Sequence, residues 1–280
     1  MNFRLLLLSS ALAATAALTS CDIIKGPKKD YDQLQSNTSQ KLLLEDFTGH
    51  TCGNCPAAHR AAADLVDVYG DKLIVVAVHA GGFAVPKPTL GYPADFRTAM
   101  GEELENNWNV DGAGFPKGMI NRRTYGGNTL LNFSSWGGYI SSVLAEEPKV
   151  GIDLAATFNE SSRVVDLTAD IEYYEGAVGN HNLVVIVTED SVVSRQTDYS
   201  VTPSDVDGYY QRHMLRGSIT DGTWGNTLTT GSTPVGATFN RDFTYTLDST
   251  WDWHHCSIVA YVMDAESKEV FQVEEVHLHE

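Results

Sequence analysis

The order strand, Cys-x-x-Cys, helix, strand constrains the fold of this chain more than any other feature. Lys41-Leu42-Leu43-Leu44-Glu45-Asp46-Phe47 is a mostly apolar run of strand length, and Thr48-Gly49-His50-Thr51 reads as a turn. Cys52-Gly53-Asn54-Cys55-Pro56 follows, and then Ala57, Ala61, Leu65 and Val68 recur at helical spacing until Gly70 stops the helix. Pro56 suits the first turn, where its missing N–H forfeits no intrahelical bond. Leu73-Ile74-Val75-Val76-Ala77-Val78 is continuously apolar, as a central strand covered on both faces would be, so residues 41–78 are expected to form a βαβ unit.

Two cysteines separated by two residues at a helix start can close a small disulfide. The free N–H groups and the dipole of the helix N-terminus stabilise a thiolate on Cys52, and a thiolate is both the attacking nucleophile and the better leaving group. The pattern points to thiol–disulfide exchange, with the Cys52, Cys55 pair as the redox centre and no bound cofactor. Two other readings stand beside it: a purely structural disulfide or inert thiol pair, and half of a zinc site. Zinc needs two further Cys or His ligands, there is no second Cys-x-x-Cys, and only His50 and His59 lie near. No metal is expected.

Arg4, the apolar stretches Leu5–Leu8 and Ala11–Leu18, and then Leu18-Thr19-Ser20-Cys21 mark residues 1–20 as an export signal, too short and too rich in Ala and Ser for a permanent span. Leu-Thr-Ser-Cys resembles the lipobox of bacterial lipoproteins, which implies that Cys21 is acylated and becomes the first mature residue; an ordinary cleaved signal with a coincidental cysteine is the alternative. Residues 21–40 are polar, contain Gly26-Pro27 and have no apolar period, as expected of a flexible tether. The expectation is a soluble body held to a membrane by acyl chains, in an extracytoplasmic compartment where disulfides persist.

Charge separates the two halves. Residues 1–150 carry 15 acidic and 13 basic side chains, and residues 151–280 carry 21 and 6, for a chain of net charge -17. A nucleic-acid partner is excluded, because counterion release needs a basic surface. After Pro148 the apolar period becomes two: Val150, Ile152, Leu154, Ala156 and Phe158, a turn at Asn159-Glu160-Ser161, then Val165, Leu167, Ala169, Ile171 and Tyr173. Leu183–Val187, Phe243–Leu247, Ser257–Met263 and Val270–Val276 add strands, so residues 149–280 are expected to be an all-β, immunoglobulin-like sandwich. Asp205-Val206-Asp207-Gly208 begins like a calcium loop but has no acidic residue at the closing position, which leaves a solvated turn. If Met263 faces Lys268 in the last hairpin, His254 faces His277, either a possible metal pair or strand-end surface. Cys256 alternates with Ile258, Ala260 and Val262 as a buried small hydrophobe would. Tyr209-Tyr210-Gln211-Arg212-His213 is a candidate recognition surface.

With these residues in place, the first half resembles the thioredoxin superfamily, in which a strand containing Asp-Phe leads into Cys-Gly-Pro-Cys. The resemblance implies a thioredoxin-like α/β domain over residues 41–148, and the residues support it: 94–107 read as a helix, Gly118–Asn121 as a strand, and 133–146, with Trp136, Ile140, Val143 and Leu144, as a closing helix. It implies that Asp46, six residues before the first Cys, exchanges protons with the resolving Cys55; spacing alone leaves a partly exposed strand-end carboxylate as the alternative. It also implies a cis bond before Pro116, so that residue 115 is presented to an extended substrate beside Cys52; an ordinary trans turn is the alternative. The sequence departs from thioredoxin in lacking a Trp before Cys52, in its inner Gly53-Asn54, and in a longer insertion over 81–109. More narrowly, the lipobox, the tether, Glu45-Asp46-Phe47-Thr48-Gly49, Cys-Gly-Asn-Cys-Pro and the all-β second half resemble the 28-kilodalton outer-membrane-protein family of Bacteroides-type bacteria. That implies an envelope lipoprotein, in the outer membrane and facing the periplasm or the surface. Its expected partners are extracytoplasmic thiol or disulfide proteins and a redox partner. Surface binding or adhesion, with Cys52–Cys55 as a static bridge, is the competing function.

Overall fold

The computed structural model describes residues 39–279; the expected signal peptide, Cys21 and all but the end of the tether lie outside the described residues. Strand β1 (Leu42–Thr48) and strand β2 (Leu73–His79) are buried along their whole length and pair in parallel, with helix α1 (Cys55–Tyr69) as the crossover. Their unbroken apolar runs follow from burial on both faces. Alternate residues of β1 face opposite layers. Leu42 and Leu44 pack with Ala58 and Ala62 of α1, whereas Leu43 and Phe47 face the other side. Gly70, at φ 58°, ends α1 in a backbone region that favours glycine.

Helix α2 (Ala99–Trp108) begins at 99 rather than 94 because Thr98 caps it, its Oγ1 accepting the Gly101 N–H at 2.9 Å, while residues 93–98 stay irregular. Asn109, at φ 50°, ends it, and a short α3 (Val110–Ala113) follows. Strand β3 (Lys117–Ile120) pairs antiparallel with β1. The closing helix expected over 133–146 is a 3-10 turn at Phe133–Ser135 followed by α4 (Trp136–Val143), whose Trp136, Ile140 and Val143 are buried against the α1 side of the sheet.

The acidic half contributes β4 (Val150–Asn159), β5 (Val164–Tyr173), β6 (Ala177–Val178), β7 (His181–Glu189), β8 (Val192–Thr197), β9 (Asp205–Gln211), β10 (Met214–Ser218), β11 (Asn226–Thr229), β12 (Ser232–Thr233), β13 (Thr238–Thr246), β14 (Cys256–Asp264) and β15 (Val270–His277). The change of period at residue 148 is not a break between sheets. One sheet runs β15-β14-β7-β10-β2-β1-β3, with β11 added to β7, and β10 reaches β2 through Met214 opposite Ala77. Val184 and Ile186 of β7 and Val259, Tyr261 and Met263 of β14 share a core with Leu43, Phe47, Met100 and Leu104. Their neighbours Leu183, Val185, Val187, Ile258, Ala260 and Val262 face the other way, onto the three-stranded sheet β13-β5-β4. Each fully buried Leu, Ile or Val contributes roughly 1.5–3 kcal/mol, so this continuous interior ties the halves together.

The last hairpin corrects one expectation. Met263 pairs with Val270, with an irregularity at Val262/Met263, and His277 therefore lies opposite Ser257, whose hydroxyl is 2.7 Å from its Nδ1. His254 precedes the strand in a 3-10 turn and stacks on Trp253, with the His279 ring 4.9 Å away. The turn is longer than a face-to-face pairing of Met263 and Lys268 requires, because Asp264 accepts the N–H groups of Glu266 and Ser267.

Candidate functional site

The Cys loop is shaped by its own backbone. The Gly49 carbonyl accepts the Cys52 N–H at 2.9 Å, the Cys52 carbonyl accepts that of Cys55 at 3.3 Å, and Cys55 is the first residue of α1 with Pro56 in the opening turn. Cys52 and Cys55 are joined in a disulfide, their Cα atoms 5.4 Å apart. The Phe115–Pro116 bond is cis, and Gly114–Lys117 line a surface groove together with Asn54 and Ala57. The structure thus brings Cys52, Cys55 and Pro116 into one neighbourhood. It also buries the pair: Cys52 is 2% exposed and Cys55 0%.

Asp46 lies on β1, on the α1 face, and is 1% exposed; its Oδ1 has no hydrogen-bond partner among the described residues. Burial pushes its carboxyl well above the ordinary value, which favours the protonated form. His59, one turn into α1 from Cys55, has its Nε2 3.9 Å from Asp46 Oδ2 and 2.8 Å from the Thr48 hydroxyl, and its Nδ1 2.7 Å from the Tyr209 hydroxyl. Burial, with a smaller push from Arg60, lowers its pKa to about 4. Burial thus disfavours the charged form of both Asp46 and His59 and opposes an ion pair between them. His50 and His79 are also buried and lowered by burial, and Phe96 lies edge-on to both rings. Around the disulfide, desolvation is the largest cause of each of these shifts.

A cavity of about 400 Å³ opens behind the Cys loop, between α1 (His59, Ala62, Ala63) and β9 (Val206, Tyr209, Tyr210), with Asp46 in its wall. The recognition stretch Tyr209–His213 lines this cavity rather than a separate surface. Asp205 and Asp207, which resembled a calcium loop, are engaged by side chains instead: Tyr92 donates to Asp205 at 2.7 Å and Arg195 pairs with Asp207 at 2.7 Å. Cys256 is buried with no disulfide partner among the described residues, and burial raises its pKa to about 12.

Sequence reasoning missed the β8–β9 ribbon that lies over the Cys loop. Thr197 N–H donates to the His50 carbonyl and Tyr199 N–H to the Gly53 carbonyl, both at 2.9 Å, while Gln196 Nε2 reaches the Cys52 carbonyl at 3.1 Å. The Tyr199 ring sits so close to Gly53 that a Cβ there would meet it at 2.5 Å. Val192–Thr197 and Asp205–Gln211 carry no regular apolar alternation, and nothing in the sequence says where they dock. His79 was equally unmarked, being the polar end of an apolar strand.

The family model described as "Outer membrane protein Omp28" matches residues 101–280. No curated protein matches the chain. Among solved structures, the fold is similar to that of HBP35 of Porphyromonas gingivalis, at 16% identity and a TM-score of 0.61 over 86% of this chain and 76% of that one. It is also similar to protein AGR_C_4864 from Agrobacterium tumefaciens, at 13% identity and a TM-score of 0.53 over 86% and 96%. A domain of the outer membrane lipoprotein Omp28 from Porphyromonas gingivalis is 20% identical over 47% of this chain and 89% of its own, with a TM-score of 0.33.

Proposed function

The chain belongs to the Omp28 family of outer membrane proteins, and on that premise we propose that it is an envelope-anchored thiol–disulfide oxidoreductase. The observation that carries this reading is the closed Cys52–Cys55 disulfide at the first turn of α1. In the reducing direction, the Cys52 thiolate attacks a partner's disulfide, one partner sulfur leaves as a thiolate, and Cys55 then attacks Cys52 Sγ. The partner is released as a dithiol and the Cys52–Cys55 bond is restored; the reverse sequence oxidises a partner dithiol. Two electrons and two protons pass in each case. The helix N-terminus favours the Cys52 thiolate, Asp46 accepts or supplies the proton of Cys55, and Pro116 shapes the groove shared with Asn54 and Ala57.

Under this reading residues 41–148 are thioredoxin-like, and the layered strands of 149–280 are an immunoglobulin-like sandwich sharing the central sheet. The anchor is an acyl group on Cys21, and the partners are envelope proteins bearing thiols or disulfides together with a redox protein that resets the pair. Insulin reduction tests it: the protein is expected to turn over, and Cys52→Ser is expected to lose turnover completely. Equal rates would refute it. A Cys55→Ser variant is expected to hold a partner from envelope extracts in a mixed disulfide.

One observation favours a second reading, a surface binding or adhesion protein with a static bridge: both cysteines are almost wholly buried. No turnover by the wild type, and no trapped partner, would select it.

A further inference from the structure

The β8–β9 ribbon is held to the Cys loop in an unusual way. It forms its own two-stranded sheet, hydrogen-bonded to no other strand among the described residues, and none of residues 192–211 belongs to the apolar core. What holds it down is polar. Thr197 and Tyr199 give their backbone N–H groups to the carbonyls of His50 and Gly53, and Gln196, fully buried, reaches the carbonyls of Cys52 and Gly49. On the outer side of α1, Arg60 pairs with Asp198 at 2.9 Å and reaches Ser200 at 3.2 Å. Between these attachments the ribbon spans the cavity of about 400 Å³ instead of filling it.

These are contacts that water can replace when they separate, whereas an apolar seam would have to expose its surface. The tip nevertheless covers the chemistry. Tyr199 lays its ring on Gly53, in the middle of the Cys-x-x-Cys loop, with 68% of its own surface still open to solvent. The ribbon also takes backbone carbonyls on both sides of Cys52 that an incoming extended chain would otherwise find free. Thiol–disulfide exchange needs the attacking sulfur in line with the S–S bond, so a disulfide 2% and 0% exposed at its two residues is shielded from any protein partner.

We infer that the ribbon is a cap built into the chain: with residues 196–200 seated on the Cys loop the disulfide is closed to exchange, and it opens when these polar ties release. The inference deepens the oxidoreductase reading and rests on it for its purpose, while the cap itself is a property of access to sulfur. Dithiothreitol separates the two. Its thiolate attacks Cys52 or Cys55 and breaks the S–S bond, and its second thiol resolves the mixed disulfide, leaving the protein as a dithiol and the reagent as a cyclic disulfide.

With full-length protein, the rate of reduction is expected to rise with dithiothreitol and then level off, because cap opening becomes limiting. Tyr199→Ala is expected to raise the rate at least tenfold, and Arg60→Ala, on the far side of the clamp and away from the sulfurs, several-fold. Far-UV circular dichroism checks that each variant is folded, and Arg60→Ala serves alone if Tyr199→Ala is not. A wild-type rate that stays linear and within threefold of the urea-unfolded chain would overturn the cap, as would variants no faster than wild type. Faster reduction in the variants with no insulin turnover by any of them would keep the cap and discard the oxidoreductase. Insulin turnover without any acceleration would do the reverse.

Discussion

Glu45 and Asp46 are adjacent on β1 and point to opposite faces, Glu45 paired through both carboxylate oxygens and Asp46 with one oxygen that has no partner among the described residues. Glu45 is bound by Arg122, from the turn after β3, whose Nη2 and Nε donate to the carboxylate at 2.7 and 2.8 Å. The same guanidinium donates to the Tyr261 hydroxyl of β14 at 2.9 Å and lies 5.4 and 5.8 Å from the ring centres of Trp108 and Trp224. Its side chain is 0% exposed and that of Glu45 3%. Burial opposes the charge on Arg122, but Glu45 and Tyr261 outweigh it and hold the guanidinium above its ordinary pKa. Removing one member of such a pair leaves the other desolvated and uncompensated, a loss of about 3–5 kcal/mol. Arg122→Met should therefore lower the stability by that amount and the melting temperature by roughly 10 °C. Glu45→Met should cost a similar amount, and the double variant should cost much less than the sum of the two, because no buried charge is left over. Urea titrations read by tryptophan fluorescence, which reports on Trp108 and Trp224 at the cluster, and by far-UV circular dichroism measure all four proteins. A single variant within 1 kcal/mol of wild type, or strictly additive losses, would refute the assignment of Arg122 and Glu45 as a mutually dependent buried ion pair.

Three further outcomes follow from the site. His59 is held neutral with a pKa near 4 against an ordinary 6.5, so its contribution is complete above pH 6.5 and is lost as the pH falls toward 4, by up to about 3 kcal/mol. Asp46, raised by burial, works in the opposite sense, since the folded state accepts its proton first. His59→Gln should flatten the fall in urea midpoint between pH 7 and 4.5, and an unchanged slope would count against this account. Gly53→Ala places a methyl 2.5 Å from the Tyr199 ring; since that ring is mostly exposed and can swing aside, the expected loss of stability is below about 1 kcal/mol, with faster reduction by dithiothreitol. Cys256, with its thiol pushed up to about 12, should resist iodoacetamide at pH 8 in the folded protein and react once unfolded; rapid native labelling would contradict its burial.

Local pattern determined much of this protein. The unbroken runs at residues 42–48 and 73–79 are strands buried on both faces, Pro56 sits where a helix starts, and the period of two after Pro148 becomes β4 and β5. Each signal lies within a few residues of the element it specifies, which is why it can be read in one dimension. The Cys pair and Asp46 were legible for the same reason, as spacings along one strand, turn and helix. Tertiary structure alone decided the rest. It joined β10 to β2 and so made one sheet of two compositionally different halves, set Arg122 against Glu45, and shifted the last hairpin so that His277 meets Ser257 and not His254. It also left Asp46 Oδ1 without a hydrogen-bond partner among the described residues and laid Tyr199 over Gly53. These are pairings between residues far apart in the chain, fixed by burial and by the satisfaction of polar groups, and no periodicity records which distant strand will supply the partner.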